Sequence, residues 1–325
     1  MSRIILGNLF ERACRVAALI AAALVAPSCA NNVEVVAPHL RPLPKDTMML
    51  LGRKGMDAQA PIFIRIFKEE SELEVWKQRD DGRYYHFKTY PICNWSGDLG
   101  PKVKHGDRQA PEGFYTVTRE QMNPDSKFHL AMNIGYPNAF DRSQRRTGEF
   151  LMIHGKCKSA GCYAMTDALI EEIYAMARES FLGGHDSFQV HAFPFQMTNE
   201  NMARHTKHEA YPFWKTLKEG YDYFELTRQV PTVAVCNRRY FVNVAWRGNQ
   251  TRLDPEATCP AFLRPKPEPF KPKPGEQMAE QRIVVPGPKM RSLASIDAGS
   301  QRSGLLTTGT VRPAAETGMG LAPGR

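Results

Sequence analysis

One stretch of the chain concentrates reactive side chains: Ile153-His154-Gly155-Lys156-Cys157-Lys158-Ser159-Ala160-Gly161-Cys162-Tyr163-Ala164-Met165-Thr166-Asp167. A thiolate is a strong nucleophile and an imidazole can take the thiol proton. His154 and Cys162, eight positions apart, therefore have the makings of an acyl-transfer pair. Gly161 lets the backbone approach a substrate, and its amide together with that of Cys162 can donate to a developing oxyanion. A strand ending at His154, a loop of small residues and a helix capped by Asp167 would set the thiol near a helix N-terminus, whose partial positive charge favours thiolate. An imidazolium beside the thiol would lower the thiol pKa, and a thiolate would raise that of the imidazole. The bland alternatives are a structural His and Cys or a metal fragment. His154, Cys157 and Cys162 with His185 or His191 give a zinc set, although none of the usual ligand spacings is present.

The elements that must position this run are mostly strands at first. Residues 61–67 and 72–77 flank a charged turn, and 84–92 follow Asp80-Asp81-Gly82, which reads as an antiparallel meander. Further strands are expected over 113–118, 128–134, 149–153 and 188–193, with a helix from Asp167 to about Ser180. Residues 198–226 read as an aromatic helical segment, and 231–235 with 239–244 as a closing hairpin. The class is α+β, with a mostly antiparallel sheet core between residues 46 and 260.

The first 30 residues carry Arg3, Arg12 and Arg15, the apolar run Val16–Ala26, and then small residues to Ala30. Eleven apolar residues rise about 17 Å as a helix, short of the ~30 Å hydrocarbon core, so the pattern is a secretory signal. Cleavage after Ala30 gives a soluble protein; a poor lipoprotein box at Cys29 leaves a membrane-anchored form open. From residue 261 to 325 the chain is proline-rich and basic, and is expected to be a disordered tail. In an oxidising compartment Cys236 and Cys259 can staple the hairpin, Cys93 and Cys157 can pair or stay buried, and Cys162 is left unpaired as the nucleophile.

The 42% apolar content excludes a wholly disordered chain, and the net charge of +9 suits an anionic polymer or surface as partner. No Walker loop, dinucleotide fingerprint or nucleic-acid module is present, and no cofactor is indicated.

The His154–Asp167 run resembles the active-site signature of the YkuD-type L,D-transpeptidases, in which His-Gly is followed by Ser-x-Gly-Cys. Gly106-Asp107-Arg108-Gln109-Ala110-Pro111-Glu112-Gly113-Phe114-Tyr115 resembles that family's Pro-x-Gly-x-Phe/Tyr segment, and Asn133–Asp141 its Tyr-Pro-Asn stretch. The resemblance spans roughly residues 62–193, and its Cys-Tyr-Ala-Met-Thr-Asp ending is most similar to the YafK branch. It implies a YkuD β-rich domain with a sheet cradle, Cys162 as nucleophile and His154 as general base oriented by the Gly155 carbonyl. It further implies an oxyanion site at Gly161 and Cys162, a loop shaped by Ser159, and a substrate contact at Tyr136. Lys156 and Lys158 flank the site and can bind stem-peptide carboxylates or be solvated loop charges.

The implied substrates are peptidoglycan stem peptides in the periplasm or cell envelope. The thioester would pass to an amine, giving a 3→3 crosslink or an attached envelope protein. Water as acceptor would give a YafK-like hydrolase that frees wall-linked lipoprotein or outer-membrane protein. A non-catalytic peptidoglycan-binding module is the alternative from another class. One departure stands out: many members carry arginine two residues after the nucleophile, where this chain has Ala164, so carboxylate recognition must differ.

Overall fold

The computed structural model describes residues 36–248, 253–275 and 281–286. Val36 and Ala37 belong to a separate N-terminal unit, and the rest form one unit from Pro38 onward. The signal sequence with Cys29, and the chain beyond residue 286, lie outside the described residues. Among the described residues no helix is long and apolar enough to cross a membrane.

After helix α1 (Lys45–Arg53), strands β1 (Ile62–Phe67), β2 (Glu72–Gln78) and β3 (Tyr84–Pro91) form the expected meander. Strand β4 (Gly113–Thr118), the short β5 (Met122–Asn123) and β6 (Ala131–Asn133), and helix α2 (Ala139–Ser143) follow. Next come β7 (Met152–His154), β8 (Tyr163–Ala164), helix α3 (Asp167–Leu182) and β9 (Ser187–Phe193). The aromatic helical segment divides into α4 (Asn199–Arg204) and α5 (Tyr211–Thr227), and the predicted hairpin is β10 (Val233–Cys236) with β11 (Arg239–Val242). The class is α+β, as expected.

The main sheet has the order β3-β2-β1-β9-β4, and a second, smaller one the order β5-β6-β7-β8. Pairing is mostly antiparallel, with two parallel contacts, β1–β9 and β7–β8. All six residues of β1 are buried because both faces of the main sheet are covered. Ile62, Ile64 and Ile66 join the core shared with α3 and the second sheet, whereas Phe63 and Phe67 face the aromatic layer under α5.

Arg65 also points toward α5 and is 1% exposed, so its charge must be matched inside the protein. It meets Glu74 at 2.7 Å and Glu225 of α5 at 2.6 Å, with its guanidinium over the rings of Trp76 and Phe224. Lys68, just after β1, is another buried cation. Its Nζ donates to Glu112 Oε1 and to the carbonyls of Asp98, Gly100 and Ala110, while Trp214 Nε1 of α5 donates to Glu112 Oε2. One ion pair thus ties β1, the 98–112 loop and α5 together.

One expectation is corrected. The α3 N-cap is Thr166, which accepts from Leu169 N, and Asp167 is the first helical residue. Helix α1 is an element the sequence reading does not contain, and it buries Thr47, Leu50 and Leu51 on one face. In the proline-rich segment, expected to be a disordered tail, a few of the described residues meet the domain, while 271–275 are exposed. Strand β13 (Phe262–Leu263) pairs with β12 (Ala245–Trp246), the Phe270 ring meets Tyr85 edge-on, and Ile283 O and Val285 N bond the two sides of Thr89 at the β3 edge.

Glu112→Ala should cost about 3–5 kcal/mol in chemical denaturation, because it strands Lys68 as an unpaired buried charge. The paired replacement Lys68→Met with Glu112→Leu should cost clearly less. Equal losses would show that the ion pair itself, and not the orphaned cation, sets the penalty.

Candidate active site

His154 ends β7, and Cys162 immediately precedes β8. Ile153 pairs with Tyr163 and His154 with Ala164 in parallel register, which puts Cys162 level with Met152. Ile153 and Tyr163 are fully buried in the core, so the alternation of the strand directs His154 and Cys162 to the opposite, shared face. The Met152 N–H donates to Cys162 Sγ at 3.4 Å, and Sγ lies 3.7 Å from Phe150 O. Cys162 is the free cysteine among the described residues.

His154 is 3% exposed, and its Nδ1 lies 2.7 Å from Gly155 O. A carbonyl oxygen only accepts, so Nδ1 carries the proton and Nε2 keeps a bare lone pair. The Phe128 ring covers the imidazole at 4.7 Å between centroids. Gly155 N donates to Phe128 O and Leu130 O. A Cβ on Gly155 would sit 2.6 Å from Asp167 Oδ1 and 2.9 Å from Phe128 O, so only glycine fits there.

The connecting loop, residues 155–162, is braced at several points. Lys156 and Cys157 both have positive φ, 63° and 50°, and Gly161 has φ 123°. Asp167 Oδ1 accepts from Lys156 N, Met165 N donates to His154 O, and Cys157 N donates to Met165 O. Ser159 Oγ donates to Cys162 O and accepts from Gly161 N at 3.3 Å. The segment Cys93–Ser96 runs alongside as a splint. Cys93 is disulfide-bonded to Cys157, Asn94 and Ala164 exchange both backbone hydrogen bonds, and Ser96 Oγ lies 3.2 Å from Ser159 Oγ. The second disulfide is Cys236–Cys259.

Burial sets the electrostatics. It pushes the Cys162 thiol above its ordinary value of 9.0, with the Met152 hydrogen bond and the Lys102 ammonium opposing. It lowers the His154 imidazole below 6.5, opposed by the bond to Gly155. Burial thus works against the expected thiolate–imidazolium pair and favours a neutral thiol beside a neutral imidazole.

Other expected site residues fall into place differently. Ser159 shapes the loop, as expected. The Gly161 amide is engaged by Ser159 Oγ at 3.3 Å, which sets it apart from the Cys162 amide in the expected oxyanion pair. Tyr136 is not a surface contact: it is 4% exposed, and its hydroxyl donates toward the carbonyls of Lys102 and Thr147. Lys156 Nζ donates to Lys127 O, while Lys158 is exposed. The zinc set does not assemble. Cys157 is bridged to Cys93, His191 lies in an aromatic cage of Phe63, Phe114 and Phe193, and no cluster of three metal-ligating side chains exists among the described residues.

Sequence reasoning missed Lys102, Phe128, Asn94 and Phe150. Lys102 is 4% exposed and ion-paired with Asp107. No spacing connects these positions to Cys162, and only Cys93 hinted that the segment before Ser96 belongs to the site.

A family model described as the L,D-transpeptidase catalytic domain matches residues 62–190. YafK of Escherichia coli strain K12, named provisionally as an L,D-transpeptidase, is 48% identical over 184 residues, covering 57% of this chain and 74% of that protein. Among solved structures, a point variant of the helical cell shape determining protein Pgp2 from Campylobacter jejuni aligns at 18% identity and TM-score 0.36, over 58% of this chain and 65% of that one. Bd1075 of Bdellovibrio bacteriovorus aligns at 17% identity and TM-score 0.29, over 55% and 78%.

Alkylation of Cys162 by iodoacetamide in the resting protein should keep accelerating past pH 9, because the thiolate fraction is still growing there. A plateau below about pH 7 would mean a standing ion pair of the papain kind. Separately, Cys93→Ser with Cys157→Ser should lose about 2–4 kcal/mol in denaturant unfolding, since the bridge closes a sequence separation of 64 residues.

Proposed function

The chain belongs to the L,D-transpeptidase family, and from that premise we propose that it is an exported enzyme acting on peptidoglycan stem peptides through a thioester at Cys162. The observation that carries this reading is the 2.7 Å bond from His154 Nδ1 to Gly155 O. It turns a basic Nε2 toward the face that bears the free thiol. As Cys162 Sγ attacks the carbonyl of the diamino-acid L-centre, Nε2 takes the thiol proton, and the Cys162 N–H donates to the oxyanion. The imidazolium then gives its proton to the departing D-alanine amine. In the second half an acceptor amine or water loses its proton to Nε2 and attacks the thioester, restoring the thiol.

The neutral resting pair makes the proton transfer part of the barrier. Burial pushes the thiol up and the imidazole down, so it adds to the cost of moving the proton from one to the other. Such a site reacts when a substrate is seated, and it stays protected from idle oxidation.

Two disulfides support export, because such bridges persist in oxidising compartments. The signal pattern over residues 1–30 supports the periplasm or envelope, with membrane attachment following from lipidation at Cys29. The hydrolytic alternative draws on Ala164. That residue is fully buried and bonded to Asn94, so the guanidinium many family members hold there for a carboxylate has no counterpart at this position.

Mass spectrometry of the protein incubated with a meso-diaminopimelate tetrapeptide muropeptide, and separately with protein-linked muropeptide, should show an acyl adduct on Cys162. Cys162→Ala should abolish turnover, and His154→Ala should slow it by about 10²–10⁴. Dimers or D-amino-acid exchange products would identify transfer, and shortened or protein-free muropeptide would identify hydrolysis. Binding without any adduct, unchanged in Cys162→Ala, would make the protein a non-catalytic envelope module.

A further inference from the structure

Two phenylalanines that should be hidden stand in solvent beside the reacting pair. Phe150 is 62% exposed and Phe128 is 43% exposed. Phe150 has φ 56°, a left-handed conformation that a bulky aromatic residue seldom adopts, and its own carbonyl lies 3.7 Å from Cys162 Sγ. Phe128 precedes His129, which has φ 74° and is pinned by Glu171 at 2.6 Å, while Phe128 N donates to Ser126 Oγ. Both rings are therefore held outward by backbone that is costly to form and by bonds that hold it there.

Their order along the chain gives the geometry. Phe150 lies two residues before Met152, the position level with Cys162, and its carbonyl stands at Sγ, while the Phe128 ring lies tilted by 39° against His154 at 4.7 Å between centroids. The two aromatics thus flank the thiol and the imidazole, and an acyl group bonded to Sγ starts beside them.

Building on the function proposed above, we propose that Phe128 and Phe150 are the two walls of a substrate subsite that grips an extended peptide by its alkyl and peptide-plane surfaces. The Phe150 wall packs against the substrate at the thiol, and the Phe128 wall packs against it while roofing the general base. This supplies apolar binding at a site whose Ala164 offers no guanidinium, and it assigns recognition to residues outside the His–Cys signature.

The test compares wild type, Phe128→Ala, Phe150→Ala, the double variant, and Phe→Tyr at both positions. Steady-state turnover of a tetrapeptide muropeptide is measured beside alkylation of Cys162 by iodoacetamide, a probe too small to need either wall. The double alanine variant should raise KM at least tenfold with kcat within threefold, leave alkylation within twofold, and be rescued by tyrosine. KM within twofold of wild type would overturn the subsite. So would a parallel fall in kcat and alkylation, which would make the rings mere supports of His154 and the loop. If wild type itself turns over no stem peptide, the proposed function fails and the subsite fails with it, an outcome distinct from normal turnover that ignores the aromatics.

Discussion

Strands β7 and β8 run parallel and side by side, yet only residues 155–162 connect them. Parallel neighbours ordinarily need a crossover of a dozen or more residues, because the chain must travel back the full length of the strand. Here the strands are three and two residues long, so a compact loop suffices, provided it accepts tight and unfavourable backbone turns. That requirement explains the positive φ angles at Lys156, Cys157 and Gly161, the glycine at 155 and the internal hydrogen bonds of Ser159. It also explains why the two chemical groups share a face: the register places one at each end of the loop.

A loop under such constraint must be held from outside. The Cys93–Ser96 splint does this through a disulfide, a backbone bridge and the Ser96–Ser159 contact. The splint is anchored in turn, since Trp95 Nε1 donates to Ser71 Oγ and the Lys68 ammonium lies over the Trp95 ring. Lys68 and Glu112 then continue the connection to the 98–112 loop, which carries Lys102, and to Trp214 of α5. Two buried ions thus link the rigid sheet to both flanks of the site. Their desolvation is offset by a full set of hydrogen bonds at Lys68, which makes the arrangement geometrically specific.

The same burial that orders the site sets its resting charge. Desolvation outweighs the Met152 hydrogen bond and the Lys102 ammonium at Cys162, and the Gly155 bond at His154, and so favours the neutral form of both. Reactivity is then tied to what the substrate brings: exclusion of water, and a carbonyl whose attack makes proton transfer worthwhile. Exposed aromatics flank this neutral pair, so the site offers apolar surface where many relatives offer a guanidinium.

Much was legible in the residues themselves. The alternation of Ile62-Phe63-Ile64-Arg65-Ile66-Phe67, the turn at Asp80-Asp81-Gly82 and the hairpin near residue 237 determined their elements, because local periodicity and turn chemistry act over a few positions. The His154–Cys162 run likewise pointed to its family, since the residue types and their spacing lie in one contiguous loop. What only tertiary structure decided involves partners distant in sequence. The splint joins residues 64 apart, the proline-rich segment finds the β3 edge, Tyr136 turns inward and Lys102 reaches the thiol's surroundings. The charge state of the pair belongs to this second group as well, because desolvation depends on everything packed around the site and on no single neighbour along the chain.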